Sequence, residues 1–156
     1  MLSIFRKVTL KTEVDALASE LHDRWRNRQF ASHNRAPHVK RTTDLKWSAR
    51  HAGTSDVDLA NTSFEELPSD WKGENRVAAQ VAVELVKQQI ARGGALDEAF
   101  VERAAKIVHT KWLERAGDTA SSLRVPFNEL PNDEKEKDRD HMRAAIAVHR
   151  RLNRWW

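Results

Sequence analysis

The sequence predicts a mainly α-helical domain made of two copies of one unit, each copy being two helices with a short extended segment between them. Three observations carry this expectation. Phe64-Glu65-Glu66-Leu67-Pro68-Ser69-Asp70-Trp71-Lys72 is echoed by Phe127-Asn128-Glu129-Leu130-Pro131-Asn132-Asp133-Glu134-Lys135, 63 positions later, and the pairs Arg76/Arg139 and Ala82/Ala145 extend the echo. Leu21-His22-Asp23-Arg24-Trp25 with Arg28 is echoed by Val108-His109-Thr110-Lys111-Trp112 with Arg115, at an offset of 87. Apolar residues around these motifs recur every three or four positions, as on one face of a helix. A repeated unit buries its apolar face against its neighbour. Two such units related by a pseudo-twofold place their shared seam where a binding pocket is first expected.

At 156 residues the chain is long enough to build one compact domain with a real core. Repeat one is expected over 10–92, with a long basic insert at 29–63, and repeat two over 95–156. There is no cysteine, which excludes disulfides, thiolate metal ligands and a cysteine nucleophile. The apolar run in Met1-Leu2-Ser3-Ile4-Phe5-Arg6-Lys7 is too short for a signal peptide. No stretch approaches the roughly 20 apolar residues that span a bilayer. A soluble, cytoplasmic protein is the expectation.

The elements follow in order. Val14, Leu17, Leu21 and Trp25 make one helical face and predict a helix over Thr12–Arg28, with Thr12 as N-cap and Asp15 three residues on as a weak capping box. From Gln29 to Ser63 the periodicity fails, and Pro37 and Gly53 punctuate a long connection that holds at most a short helix around Thr43–His51. Ser69 and Asn132 each open a second helix just after a proline. Its buried stripe is Ala79, Ala82, Val83, Val86 and Ile90 in repeat one, and Met142, Ala145, Ile146, His149 and Leu152 in repeat two. Acids crowd the start of the last helix and arginines its end, which complements the helix dipole. Gly93-Gly94 closes repeat one. A helix from Leu96 to Arg115 opens repeat two, with Val101, Ala104, Val108 and Trp112 on one face. Leu123-Arg124-Val125-Pro126-Phe127 reads as extended, because a residue before proline is pushed away from helical geometry.

Charge is concentrated between Arg24 and His51. Arg24, Arg26, Arg28, Arg35, Lys40, Arg41, Lys46 and Arg50 are opposed over that span only by Asp44, and Trp47 lies among them. Such a segment attracts anions, or it is a solvated face balanced by the acids that follow.

Candidate site residues come from the repeat and the insert. Trp25 and Trp112 are equivalent, and two indoles across a seam can stack a planar ring; the plainer role is core packing. His22 and His109 are equivalent too, but no His-Glu-x-x-His or recurring carboxylate accompanies them, so the role of a hydrogen-bonding helix histidine is favoured over metal binding or catalysis. Arg76 and Arg139 can grip phosphate, or pair with acids such as Asp133, Glu136 and Asp140. Arg28, Lys40, Arg41, Arg50 and Trp47 complete the set. No glycine-rich phosphate loop and no Gly-x-Ser-x-Gly elbow is present. A non-catalytic protein without cofactor or metal is expected.

The repeat unit resembles the RyR domain, described in ryanodine receptors and found also in bacterial and phage proteins. The resemblance is carried by Leu17-Ala18-Ser19-Glu20-Leu21-His22-Asp23-Arg24-Trp25, by Val108-His109-Thr110-Lys111-Trp112, and by the run from Arg124 to Asp138. It covers both halves but not most of 29–60. The chain departs from the receptor pattern in having no tyrosine and in carrying the basic insert. The resemblance implies a helical tandem with pseudo-twofold symmetry that binds a nucleotide near Trp25 and Trp112. The expected function is therefore binding of an adenine-type or cyclic nucleotide signal, as a sensor or as a sequestering sponge in bacterial or phage defence signalling. Two alternatives stand beside it: a nucleic-acid binder using the basic segment 24–51, and a protein-interaction module, for which the Trp155-Trp156 pair is a candidate contact. No membrane partner is expected, and a homodimer is compatible with the pattern.

Overall fold

The first helix is much longer than its apolar face. In the computed structural model, which describes residues 2–117 and 121–154 and the side chains of 11–117 and 122–154, α1 runs over Leu2–His33. Thr12 is interior to it and so is not its N-cap. No glycine or proline interrupts 2–33, so nothing local ends the helix there. It stops where Asn34 and Arg35 take positive φ of 49° and 62°, the left-handed conformation that terminates many helices.

The insert is ordered rather than a plain loop. Strands β1 (Val39–Arg41) and β2 (Asp56–Asp58) pair antiparallel, with Lys40 opposite Val57. Helix α2 (Leu45–Arg50) lies between them. Two aspartates lock this unit to the next helix, α3 (Ser69–Ala91). Asp44 caps α2 by accepting from Trp47 N at 3.0 Å, and accepts from Ser69 N at 3.0 Å. Those amides hold its carboxyl down at about 2. Asp70, in the first turn of α3, answers by accepting from the Thr42 hydroxyl at 2.7 Å and from Thr43 N at 2.9 Å. The acid that the sequence sets alone against the basic cluster is thus a structural clasp.

Helices α4 (Glu98–Arg115) and α5 (Asn132–Leu152) form the second half. Asp97 caps α4 by accepting from Phe100 N. The expected extended run before Phe127 is not a strand. Two 3-10 turns, Ser121–Leu123 and Phe127–Glu129, flank Pro126, whose φ of −55° and ψ of 150° keep that one residue extended.

The fold is mainly helical, with five α-helices and the small hairpin among the described residues. Helix α1 packs on α3 and α5, and α4 packs on α5 and α3. Leu17, Ala79, Ala82, Val83, Val86, Ala104, Met142 and Ala145 fill the centre. Ile90, expected in the buried stripe, is 43% exposed because the last turn of α3 runs past the packed surface. His149 and Leu152 are half-buried. Glu13 on α1 is fully buried and accepts from His149 Nδ1 at 2.7 Å, tying α1 to α5. No helix is long and apolar enough to cross a membrane among the described residues. Trp155 and Trp156 lie outside the described residues.

Candidate functional site

The motifs that repeat in sequence make the same contacts in both halves. His22 Nε2 donates to the Thr62 carbonyl at 2.7 Å, and His109 Nε2 donates to the Val125 carbonyl at 2.7 Å. Thr62 and Val125 are themselves 63 positions apart. Each histidine stacks on the tryptophan one turn later, with centroids 5.8 Å apart for His22–Trp25 and 5.8 Å for His109–Trp112. Arg76 sits over Phe64 at 5.7 Å, and Arg139 over Phe127 at 5.8 Å. In each half a helix is therefore pinned to the 3-10 turn that precedes the next helix. The histidines serve as struts, since a buried imidazole must place its N–H on an acceptor.

Between these struts lies a cavity of about 430 Å³. It draws on α1, β1, α3, α4 and α5 and is lined by both Trp25 and Trp112, together with Trp71. Trp25 also meets the His38 ring in a T-shaped contact, centroids 5.2 Å apart. Trp71 is fixed by donating from Nε1 to the Arg41 carbonyl at 3.1 Å. The cations Arg24, Arg28, Lys40, Arg115 and Lys137 line the cavity against the carboxylates Glu74 and Asp140, leaving an excess of positive charge. Arg24 pairs with Glu20 at 3.1 Å and Lys137 with Glu134 at 2.7 Å. Arg28, Lys40 and Arg115 have no carboxylate partner among the described residues and are exposed.

Two imidazoles of the cavity, His22 and His141, are pushed below the ordinary histidine range. Burial lowers His22, against the opposing pull of its bond to Thr62. Burial likewise lowers His141 to about 4, with Arg115 and Arg28 adding repulsion to its protonated form. His141 Nε2 donates to the Ala78 carbonyl at 3.2 Å.

The cavity brings together Trp25, Trp112, His22, Arg28 and Lys40 from the residues the sequence singles out. The others lie elsewhere. Trp47 is buried in the core, its indole donating to the Glu66 carbonyl at 2.9 Å and stacked on His51 at 3.8 Å. Arg76 is bound to Asp15 at 2.8 Å, across to α1. Arg139 is held by Glu102 at 2.6 Å on α4 and by Glu136 at 3.3 Å on its own helix. Arg41 donates to the Ser55 hydroxyl at 2.9 Å. Arg50 is exposed in the last turn of α2. His109 is buried behind its tryptophan, with Asp138 3.5 Å from Nδ1.

Sequence reasoning omitted Trp71, Arg115 and His141. Arg115 was within reach, since it occupies the repeat position of Arg28. Trp71 has Glu134 as its counterpart, and His141 has Ala78, so the repeat gave no signal for either. Among the described residues no three His, Asp or Glu side chains converge as a metal site. No protein-family model matches the chain, and no curated protein matches it.

Proposed function

We propose that the cavity is a non-catalytic binding site for a nucleotide-type ligand, so that the protein senses or sequesters a small nucleotide signal. One observation carries this: the indoles Trp25 and Trp112 line a single cavity with the uncompensated cations Arg28, Lys40 and Arg115. A base offers a π-face to the indoles, worth about 1–3 kcal/mol of stacking. A phosphate offers oxygens to guanidinium groups, which bind them bidentately. The resemblance to the RyR domain agrees with this use of the tryptophans. The test is Trp112→Ala, assayed by calorimetry against a binding nucleotide and by circular dichroism. Binding is expected to be lost with the helical signal intact, and unchanged affinity would sink the assignment.

A second reading is nucleic-acid binding by the insert. It is favoured by Arg35, Lys46 and Arg50, which are exposed and have no carboxylate partner among the described residues. Its signature is affinity that grows with strand length and falls steeply with salt.

A further inference from the structure

Two polar side chains in the cavity wall are engaged on one side and open on the other. A neutral imidazole carries one N–H. In His141 that N–H is on Nε2 and donates to Ala78, so Nδ1 keeps a bare lone pair. Asn75 donates from Nδ2 to the Trp71 carbonyl at 3.0 Å, which leaves its Oδ1 as an acceptor. Asn75 and Ala78 are three residues apart on α3, neighbours on one helical face. Asn75, Ala78 and His141 all line the one cavity. Neither has a hydrogen-bond partner among the described residues, and neither is sealed off: the buried side-chain atom without a hydrogen bond among those residues is Glu13 Oε2, which is not part of the cavity lining and faces Lys87 Nζ at 3.9 Å.

We propose that His141 and Asn75 are specificity-determining residues that accept the N–H groups of an exocyclic amine, so that the cavity takes an amino-bearing nucleobase and rejects its oxo counterpart. This rests on the nucleotide reading of the cavity. An amine on the ring presents two N–H groups to two acceptors. A carbonyl at the same place presents lone pairs to a nitrogen lone pair and an amide oxygen, and no bond forms. A site built around a hydrogen bond discriminates strongly because its own groups are left unpaired by the wrong ligand.

Calorimetry at pH 7 with two pairs of nucleotides tests this: AMP against IMP, and CMP against UMP. Within each pair the phosphate and sugar are identical and a ring amine is replaced by a carbonyl. In whichever pair binds, the amino member is expected to bind at least about tenfold tighter. His141→Phe and Asn75→Leu are each expected to bring that ratio towards one. Asn75 only bonds one turn back on its own helix, so its variant carries the test should His141→Phe fail to fold. Equal affinities within a pair, or a ratio unchanged in the folded variants, overturns the inference and leaves the nucleotide reading standing. No binding of any of the four overturns the inference, and the nucleotide reading falls with it if cyclic nucleotides also fail to bind.

Discussion

Arg28 and Arg115 hold the same place in the two copies of the repeated motif, and both line one cavity. Each projects from the turn of helix that follows its stacked His–Trp pair. Each also weighs against protonation of His141, the imidazole of the same cavity. The repeat thus delivers two guanidinium groups to one space, one from each half.

Removing either arginine is expected to weaken a phosphate-bearing ligand by about 1.5–3 kcal/mol, the range of a hydrogen bond to a charged group. Affinity for the matching nucleoside should barely change. Calorimetry on Arg28→Ala and Arg115→Ala, with nucleotide and nucleoside in parallel, separates the two terms. Equal losses for both ligands would mean the arginines shape the cavity rather than hold phosphate.

Trp47 is expected to act on stability alone. It is 5% exposed, hydrogen-bonded and stacked inside the insert. Trp47→Ala should cost about 3–5 kcal/mol, typical of a large aromatic deleted from a core. Chemical denaturation measures it, and a loss below about 1 kcal/mol would contradict the buried placement.

Acid titration should expose two groups with opposite slopes. His141 is depressed to about 4, below its ordinary 6.5. Above pH 6.5 it costs nothing; as pH falls from there to about 4 the unfolded chain takes up a proton that the folded one resists, so stability is lost. Asp138 is raised by burial to about 6, with His109 pulling the other way. Between about 6 and its ordinary 3.8 the folded chain binds the extra proton, so stability is gained as pH falls. Each unit of displacement corresponds to about 1.4 kcal/mol. His141→Phe should flatten the acid loss, and Asp138→Asn should steepen it while leaving the protein at least as stable at pH 7. Unfolding curves at half-unit steps from pH 7 to 4 check both signs.

Glu13→Ala is expected to cost about 1–3 kcal/mol, because His149 loses the acceptor that its Nδ1–H uses inside the helix junction. Its double mutant with His149→Leu should lose less than the sum of the two single changes. Additive losses would show the pair to be energetically independent.

The helices, their buried faces and the two tryptophans of the cavity were legible because periodicity and self-similarity are local signals. Val101, Ala104, Val108 and Met142 are buried as their spacing requires. Of the insert only the short helix expected around Thr43–His51 was legible, and α2 forms there at Leu45–Arg50. Its hairpin depends on pairing Lys40 with Val57, and its clasp on Asp44 reaching Ser69 and Asp70 reaching Thr42, all contacts between distant positions. The clustered charge of the insert suggested a ligand surface. Of that cluster Arg24, Arg28 and Lys40 line the cavity, and strand alternation turns Arg41 to the face opposite Lys40. Arg76 and Arg139 were ambiguous in sequence because guanidinium groups bind phosphate and carboxylate alike. Their partners Asp15 and Glu102 lie on other helices, beyond any pattern along one.

The most direct measurement is a thermal-shift panel of mononucleotides, cyclic nucleotides and short DNA and RNA strands, on the wild type and on Trp112→Ala. A ligand at about 100 times its dissociation constant adds roughly 2.7 kcal/mol of stability. A shift selective for one small nucleotide and absent in Trp112→Ala is the expected result. Stabilisation by the polymers alone, or by nothing in the panel, would contradict a nucleotide site in this cavity.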